Sequence, residues 1–118
     1  SSGWGRIINV SSIYGLIGRK GAVAYSTAKA GIIGLPKSVA KEAGADGVTV
    51  NAILPGLTRT PTIENFMAET YKEIIIADTP LGRIGEAEGV AKAIAFLASD
   101  DASFITGVAL PISGGWGI

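Results

Sequence analysis

Short apolar runs alternate along this chain with longer stretches in which apolar residues recur every three or four positions. Arg6-Ile7-Ile8-Asn9-Val10, bounded by Gly5 and by Ser11-Ser12, is brief and rich in branched side chains, which predicts a buried strand. From about Ala24 to Ala43 the pattern changes: Ala28, Ile32, Leu35 and Val39 follow one another at helical spacing, with Gly44 and Gly47 available as stops. Pro36 lies inside this stretch and is expected to bend the helix or remove one of its backbone hydrogen bonds. Val48 to Leu54 predicts a second strand, ended by Pro55-Gly56.

The segment from Leu57 to about Gly85 is less regular, with room for one or two short helices between Thr62 and Ala77 and a loop at Thr79-Pro80-Leu81-Gly82. Glu86 to Ser99 predicts a helix with Val90, Ile94 and Leu97 on its inner face and acidic residues in its first turn. A turn at Asp100 to Ser103 leads to a third strand, Val108 to Ile112, in which Pro111 calls for an edge position or a strand end. Strand, helix, strand, helix, strand with continuous apolar strands is the pattern of an α/β protein built on a parallel sheet. In such sheets ligands bind beyond the carboxyl ends of the strands. Ser11-Ser12 and Pro55-Gly56 lie at those ends, and Tyr25 stands near them at the start of the first long helix.

Composition narrows the chemistry. The 118 residues are 47% hydrophobic and carry ten basic and ten acidic side chains, a length and balance that suit one domain. A net charge of zero provides no field for nucleic acid or an anionic membrane, so neither is expected as a partner. With no cysteine and no histidine, disulfides, thiolate catalysis and the commonest metal ligand are all excluded, and no metal site is expected. No apolar run approaches the roughly 18 residues of a membrane span, and the first residues lack the charged-then-apolar pattern of a secretory signal. A cytoplasmic protein is the expectation. SSGWG at the start and SGGWG near the end look alike, but two echoes of five residues do not make a repeat.

What remains for catalysis is oxygen and ammonium chemistry. Tyr25 and Lys29, four apart on a helix, share one face. A free phenol is a poor acid near neutrality, but a cation within roughly 4–6 Å favours its charged form. A hydroxyl delivered by Ser12 from the strand end could hold a substrate oxygen against that phenol. The pair by itself is more often a phenol lying on a solvated lysine's aliphatic stem, Ser12 by itself a strand-end cap, and Pro55-Gly56 by itself an ordinary turn. Their order and spacing carry the case.

Ser12, Tyr25 and Lys29 together read S-x12-Y-x3-K. With GRIINVSS before them, VTVNAILPG after, and PLGRIGEAEGVAKAIAFLASDDASFITG towards the end, the chain strongly resembles the short-chain dehydrogenase/reductase family over nearly its whole length. The resemblance implies an oxidoreductase that exchanges hydride between NAD or NADP and a small alcohol or carbonyl substrate. Residue by residue it makes Tyr25 the general acid/base, Lys29 the group that lowers the phenol's pKa and binds the nicotinamide ribose, and Ser12 the group that orients the substrate oxygen. Pro55, Gly56, Thr58 and Thr60 match positions that line the nicotinamide and its neighbouring phosphate. The irregular stretch from Thr62 to Leu81 matches the loop that closes over the substrate.

The Gly-rich strand-to-helix turn that receives a dinucleotide pyrophosphate does not occur in these residues, nor does the acid that reads the ribose. Residues 1–118 therefore look like the C-terminal, catalytic half of a Rossmann-like doubly wound sheet, with three strands alternating with helices. Oligomerisation is expected to complete that sheet, so a homo-oligomer is the expected state. Within the matched region, Ser113 replaces the usual aspartate before Gly114-Gly115, and Pro36 replaces a usual serine or threonine. A truncated half-domain that self-associates and binds no cofactor is the competing reading. A dehalogenase of the same scaffold would carry arginine at Lys29, and the lysine argues against it.

Overall fold

The computed structural model describes residues 3–118 and has an α/β architecture. Three strands, β1 (Gly5–Val10), β2 (Val48–Pro55) and β5 (Ala109–Ile112), form a parallel sheet in the order β1-β2-β5. In register, Val10 stands beside Ile53 and Ile53 beside Leu110. Between β1 and β2 run a short helix α1 (Ile13–Ile17) and a long one, α2 (Val23–Ala43). Between β2 and β5 lie a two-residue strand β3 (Thr58–Arg59), helices α3 (Pro61–Phe66) and α4 (Glu69–Ala77), a matching strand β4 (Gly85–Glu86), and helix α5 (Ala87–Ala98).

The central strand is buried from Thr49 to Leu54, which requires cover on both faces. On the face of Ile53 the cover is α5: Ile53, Leu97 and Ala102 form a buried cluster joined by Val90 and Ile94 and by Ile8 from β1. The inner face predicted for this helix is the one found. The opposite face, carrying Val50, Ala52 and Leu54, is covered by α2, whose buried positions are Pro36 and Ala40. Here the predicted stripe is corrected. Ile32 and Val39 are half-buried, but Ala28 and Leu35 face outward, because the packed face runs through Ser26, Lys29, Pro36 and Ala40. Apolar residues lie on more than one side of this helix, with Ile33 beside Ile32, and spacing alone left its rotation ambiguous. Pro36 lies fully buried within one continuous 21-residue helix.

Pro111 has its edge strand. Val108 and Ile112 turn their carbonyls to the amides of Ala52 and Gly56, so alternate residues bond β2 and the nitrogen of Pro111 faces the open side. Asn51, with no exposed surface, fixes the same strand from inside: its amide donates to the Ile105 carbonyl at 3.0 Å, and its oxygen accepts from the Val108 amide at 3.0 Å.

The short helix after β1 follows from local chemistry. Ser12, in extended backbone, caps it by accepting from the Tyr14 amide at 3.2 Å, and Gly18, with φ of 71°, ends it in a conformation that suits glycine. At Gly15 the helix meets α2 so closely that a Cβ would stand 2.7 Å from the Lys29 carbonyl carbon. Two helices, not one, occupy the region predicted between Thr62 and Ala77. Arg59 ties it to α5's approach by bonding Glu64 at 2.8 Å and Glu86 at 3.0 Å. Among the described residues no helix is long and apolar enough to cross a membrane.

Candidate active site

Beyond the carboxyl ends of β1 and β2 a cleft of about 630 Å³ opens. Ser12 and Tyr25 both line it, as do Pro55, Gly56, Thr58 and Thr60. Thus the positions matched from separate segments of the sequence arrive at one rim, and only Lys29 is not part of the cleft wall. Its ammonium lies 5.5 Å from the centre of the Tyr25 ring, one helical turn away, and reaches the cleft through that residue.

Each of these side chains is held by its element. Ser12 is nearly buried; its oxygen accepts from the Tyr14 amide, and its hydroxyl hydrogen has no acceptor among the described residues. A cap that uses only the lone pair leaves the O–H for a ligand oxygen. Tyr25 stands at the start of α2, half exposed towards the cleft. The neighbouring Ser11 hydroxyl donates to the Lys29 carbonyl at 2.7 Å, which fixes α2 to the strand end. Gly56 donates its amide to the Ile112 carbonyl at 3.0 Å, and a Cβ there would meet Ser113 at 2.9 Å. Close backbone packing therefore already demands glycine at this position. Thr58 donates to the Gly56 carbonyl at 3.2 Å, and Thr60 caps α3 by accepting from the Ile63 amide at 3.2 Å.

Further residues in the wall were not singled out by the sequence. Tyr14 of α1 and Tyr71 of α4 bond hydroxyl to hydroxyl across the cleft. The guanidinium of Arg19 lies over both rings, 5.6 Å from the Tyr14 centroid and 5.1 Å from that of Tyr71. Trp116 meets Tyr14 edge to face at 5.3 Å. Burial pushes the Tyr14 phenol well above its ordinary ionisation, the Tyr71 hydroxyl pushes the same way, and Arg19 pulls it partly back. The phenol stays a neutral donor across the physiological range.

The cleft lies where ligands bind in parallel sheets. It combines an unspent Ser12 hydroxyl, a phenol with a nearby ammonium, and a backbone turn at Pro55-Gly56 beyond the strand ends. Among the described residues no cluster of acidic side chains could hold a metal ion.

Comparison with known proteins gives the family. Residues 1–117 match the family described as Enoyl-(Acyl carrier protein) reductase. An acetoacetyl-CoA reductase of Rhizobium meliloti is 50% identical over 113 residues, 96% of this chain and 47% of that protein. A 3-oxoacyl-(acyl-carrier-protein) reductase of Haemophilus influenzae is 48% identical over 95% of this chain and 46% of its own length. The (3R)-3-hydroxyacyl-CoA dehydrogenase of Mus musculus is 45% identical over 98% of this chain and 44% of its own length. The crystal structure of a 3-oxoacyl-(acyl-carrier-protein) reductase from Brucella melitensis superposes with a TM-score of 0.91 at 32% identity, over 96% of this chain and 42% of that one. The chain thus spans less than half the length of these relatives. On sequence and fold together, the chain belongs to the short-chain dehydrogenase/reductase family.

Proposed function

We propose that this chain is the catalytic half of an NAD(P)-dependent reductase acting on a 3-oxoacyl thioester or a similar carbonyl compound. The observation that carries the reading is the meeting of Ser12 and Tyr25 in one cleft with Lys29 one turn behind the phenol. The names of the relatives supply the substrate class. Their greater length supports treating residues 1–118 as part of a larger nucleotide-binding domain.

When bound, the reduced nicotinamide supplies hydride to the carbonyl carbon. The protein's own residues do the rest. Ser12 donates its free hydroxyl hydrogen to the carbonyl oxygen and fixes it against Tyr25. Tyr25 gives its phenolic proton to that oxygen as the carbon–oxygen double bond becomes single, which yields the alcohol. The Lys29 ammonium favours the negative charge then left on the phenol oxygen. Lys29 and Tyr25 would hold the ribose hydroxyls, and Pro55, Gly56, Thr58 and Thr60 would bound the nicotinamide pocket. NAD and NADP serve this chemistry equally. Helices α3 and α4, which contribute Ile63 and Tyr71 to the cleft wall, would close over the bound substrate and keep water from the reacting carbon.

The test is Tyr25→Phe in the complete protein, nucleotide-binding half included, since residues 1–118 alone are expected to be inactive; it is followed by loss of reduced-nicotinamide absorbance with acetoacetyl-CoA. Turnover should fall by at least about 100-fold while circular dichroism stays unchanged. Retained turnover would remove Tyr25 from its role.

A further inference from the structure

Beside the Ser12–Tyr25 pair the cleft holds a second group of polar side chains that the proposed reaction does not use. Arg19, Tyr14 and Tyr71 come from the connection after α1, from α1 itself and from α4, and all three line the same cleft. Their hydrogen bonds do not balance. Two phenols carry two hydroxyl hydrogens, and their mutual bond uses one. The other has no acceptor among the described residues. Arg19 carries up to five donors, and among the described residues it forms no ion pair and no hydrogen bond.

A guanidinium stacked on aromatic faces keeps its edge free. Cation–π attraction to ring faces draws on the charge and leaves the N–H donors uncommitted. Arg19 is therefore oriented by Tyr14 and Tyr71 without being neutralised by them. The burial of Tyr14 keeps its hydroxyl protonated; the phenol oxygens retain lone pairs, but the group carries one full positive charge, no negative one, and more free donors than acceptors. No acidic residue lines the cleft. A site with this imbalance is complementary to an oxyanion.

We propose that Arg19, with the free phenolic hydrogen of the Tyr14–Tyr71 pair, forms an oxyanion subsite that selects ligands bearing a carboxylate or phosphate away from the reacting carbonyl. The selection of a substrate by this subsite rests on the reductase reading above; the anion binding itself does not. Arg19 and the two tyrosines act as binding residues, with the chemistry left to Ser12 and Tyr25. Because Tyr71 belongs to α4, an anion seated there also draws that cover against α1.

The experiment uses inorganic phosphate and acetate as separate probes, each titrated into the protein with chemical shifts of the tyrosine rings and the arginine side chains followed by NMR. Saturable shifts at Arg19, Tyr14 and Tyr71 are expected. Phosphate binding tighter than acetate marks a phosphate site, and the reverse marks a carboxylate site. Arg19→Gln should weaken the preferred probe by at least about tenfold, the loss of one charge-assisted contact. Arg19→Lys should recover part of it, since charge survives without the planar stack. Tyr25→Phe should bind the probe as the parent does, which separates this subsite from the catalytic assignment. Equal affinity in Arg19→Gln, or no saturable shift with either anion, would overturn the proposal whatever the fate of Tyr25.

Discussion

The hydroxyl of Ser11 donates to the backbone carbonyl of Lys29 at 2.7 Å, joining the end of β1 to α2 at the turn that carries the Tyr25–Lys29 pair. Ser11 is buried, and its amide already bonds the Ile53 carbonyl of the central strand at 2.8 Å. One residue thus ties the sheet, the strand-end serine beside it and the helix of the acid/base pair into a single frame. Ser11→Ala removes the tie and leaves the rest of the packing in place. Denaturant unfolding should show a loss of about 1 kcal/mol. Turnover should fall by more than stability alone explains, because a small displacement of a reacting group is costly. An unchanged rate in a fully folded variant would show that α2 is positioned by other contacts.

Gly15 tests the same frame from the side of α1. A Cβ there would stand 2.7 Å from the Lys29 carbonyl carbon, 2.8 Å from its Cβ and 2.9 Å from the Ala30 nitrogen. Two of these neighbours are helix backbone and the third is a Cβ fixed to it, and none can swing aside as a flexible side-chain tip does. Gly15→Ala should therefore cost roughly 1–3 kcal/mol through overpacking, even though alanine is the better helix former. Gly18→Ala makes the contrast, since nothing lies near its Cβ and the strain there comes only from a φ of 71°. Thermal unfolding of the two variants measures close approach against backbone conformation. A neutral Gly15→Ala would mean that α1 can lift away from α2.

Much of this arrangement was legible in the sequence, for identifiable reasons. The strands β1, β2 and β5 were readable because each is a short, mostly apolar run near glycine, proline or serine, and the edge place of Pro111 followed from its missing N–H; the two-residue pair β3–β4 was missed, being too short to show any alternation. The face of α5 was readable because Val90, Ile94 and Leu97 recur at helical spacing among alanine, glycine and charged residues, with Phe96 the one large apolar side chain off that face. On α2 the apolar residues, Ile32, Ile33, Leu35 and Val39 among them, lie on more than one side, so periodicity alone misplaced Ala28 and Leu35. Helix α1 escaped because five residues are too few for a period to show. The Tyr14–Tyr71–Arg19 group escaped for another reason. Its members are brought together across 57 positions by α4, and no local spacing encodes that meeting. Trp116 belonged to an echo of the first residues that has no structural meaning: it follows β5 and packs on Tyr14, whereas Trp4 precedes β1 and lies against Arg6.

Tyr14 gives the fold a dependence on alkaline pH. Its ionisation is raised in the folded state, first by burial and then by the Tyr71 hydroxyl. The folded protein therefore holds the phenolic proton more tightly than the unfolded chain, whose tyrosines titrate near about 10. The stabilisation is complete below that value and is lost progressively as pH rises from there towards the higher ionisation of the folded state, because over that interval the unfolded state binds fewer protons. Urea midpoints measured from neutral pH to about pH 12 should fall for the parent protein. In Tyr14→Phe they should start lower, since a hydrogen bond is gone, and then fall less steeply. Parallel curves for the two proteins would place the alkaline sensitivity elsewhere.

The outer edge of β1 sets the behaviour of the free chain. Ser11 bonds β2 through its amide, so by alternation the backbone groups of Ile8 and Val10 point away from the sheet, and no described strand pairs with them. Ile7 and Val10 are 43% and 49% exposed at the same edge, and Leu35 lies 50% exposed on the outer face of α2. The radius of gyration, 15.5 Å, exceeds the value of about 13.5 Å expected for a compact chain of this length. An open parallel edge flanked by apolar side chains is a template for another strand, and a copy of the same chain supplies one across a two-fold axis. Sedimentation velocity at micromolar concentration should therefore show dimers or larger species. Ile7→Lys should shift the distribution towards monomer, because a charge on an edge strand opposes pairing there. A parent chain that sediments as a single monomeric species would show that the edge is protected by its own twist and that the exposed apolar surface does not suffice for association.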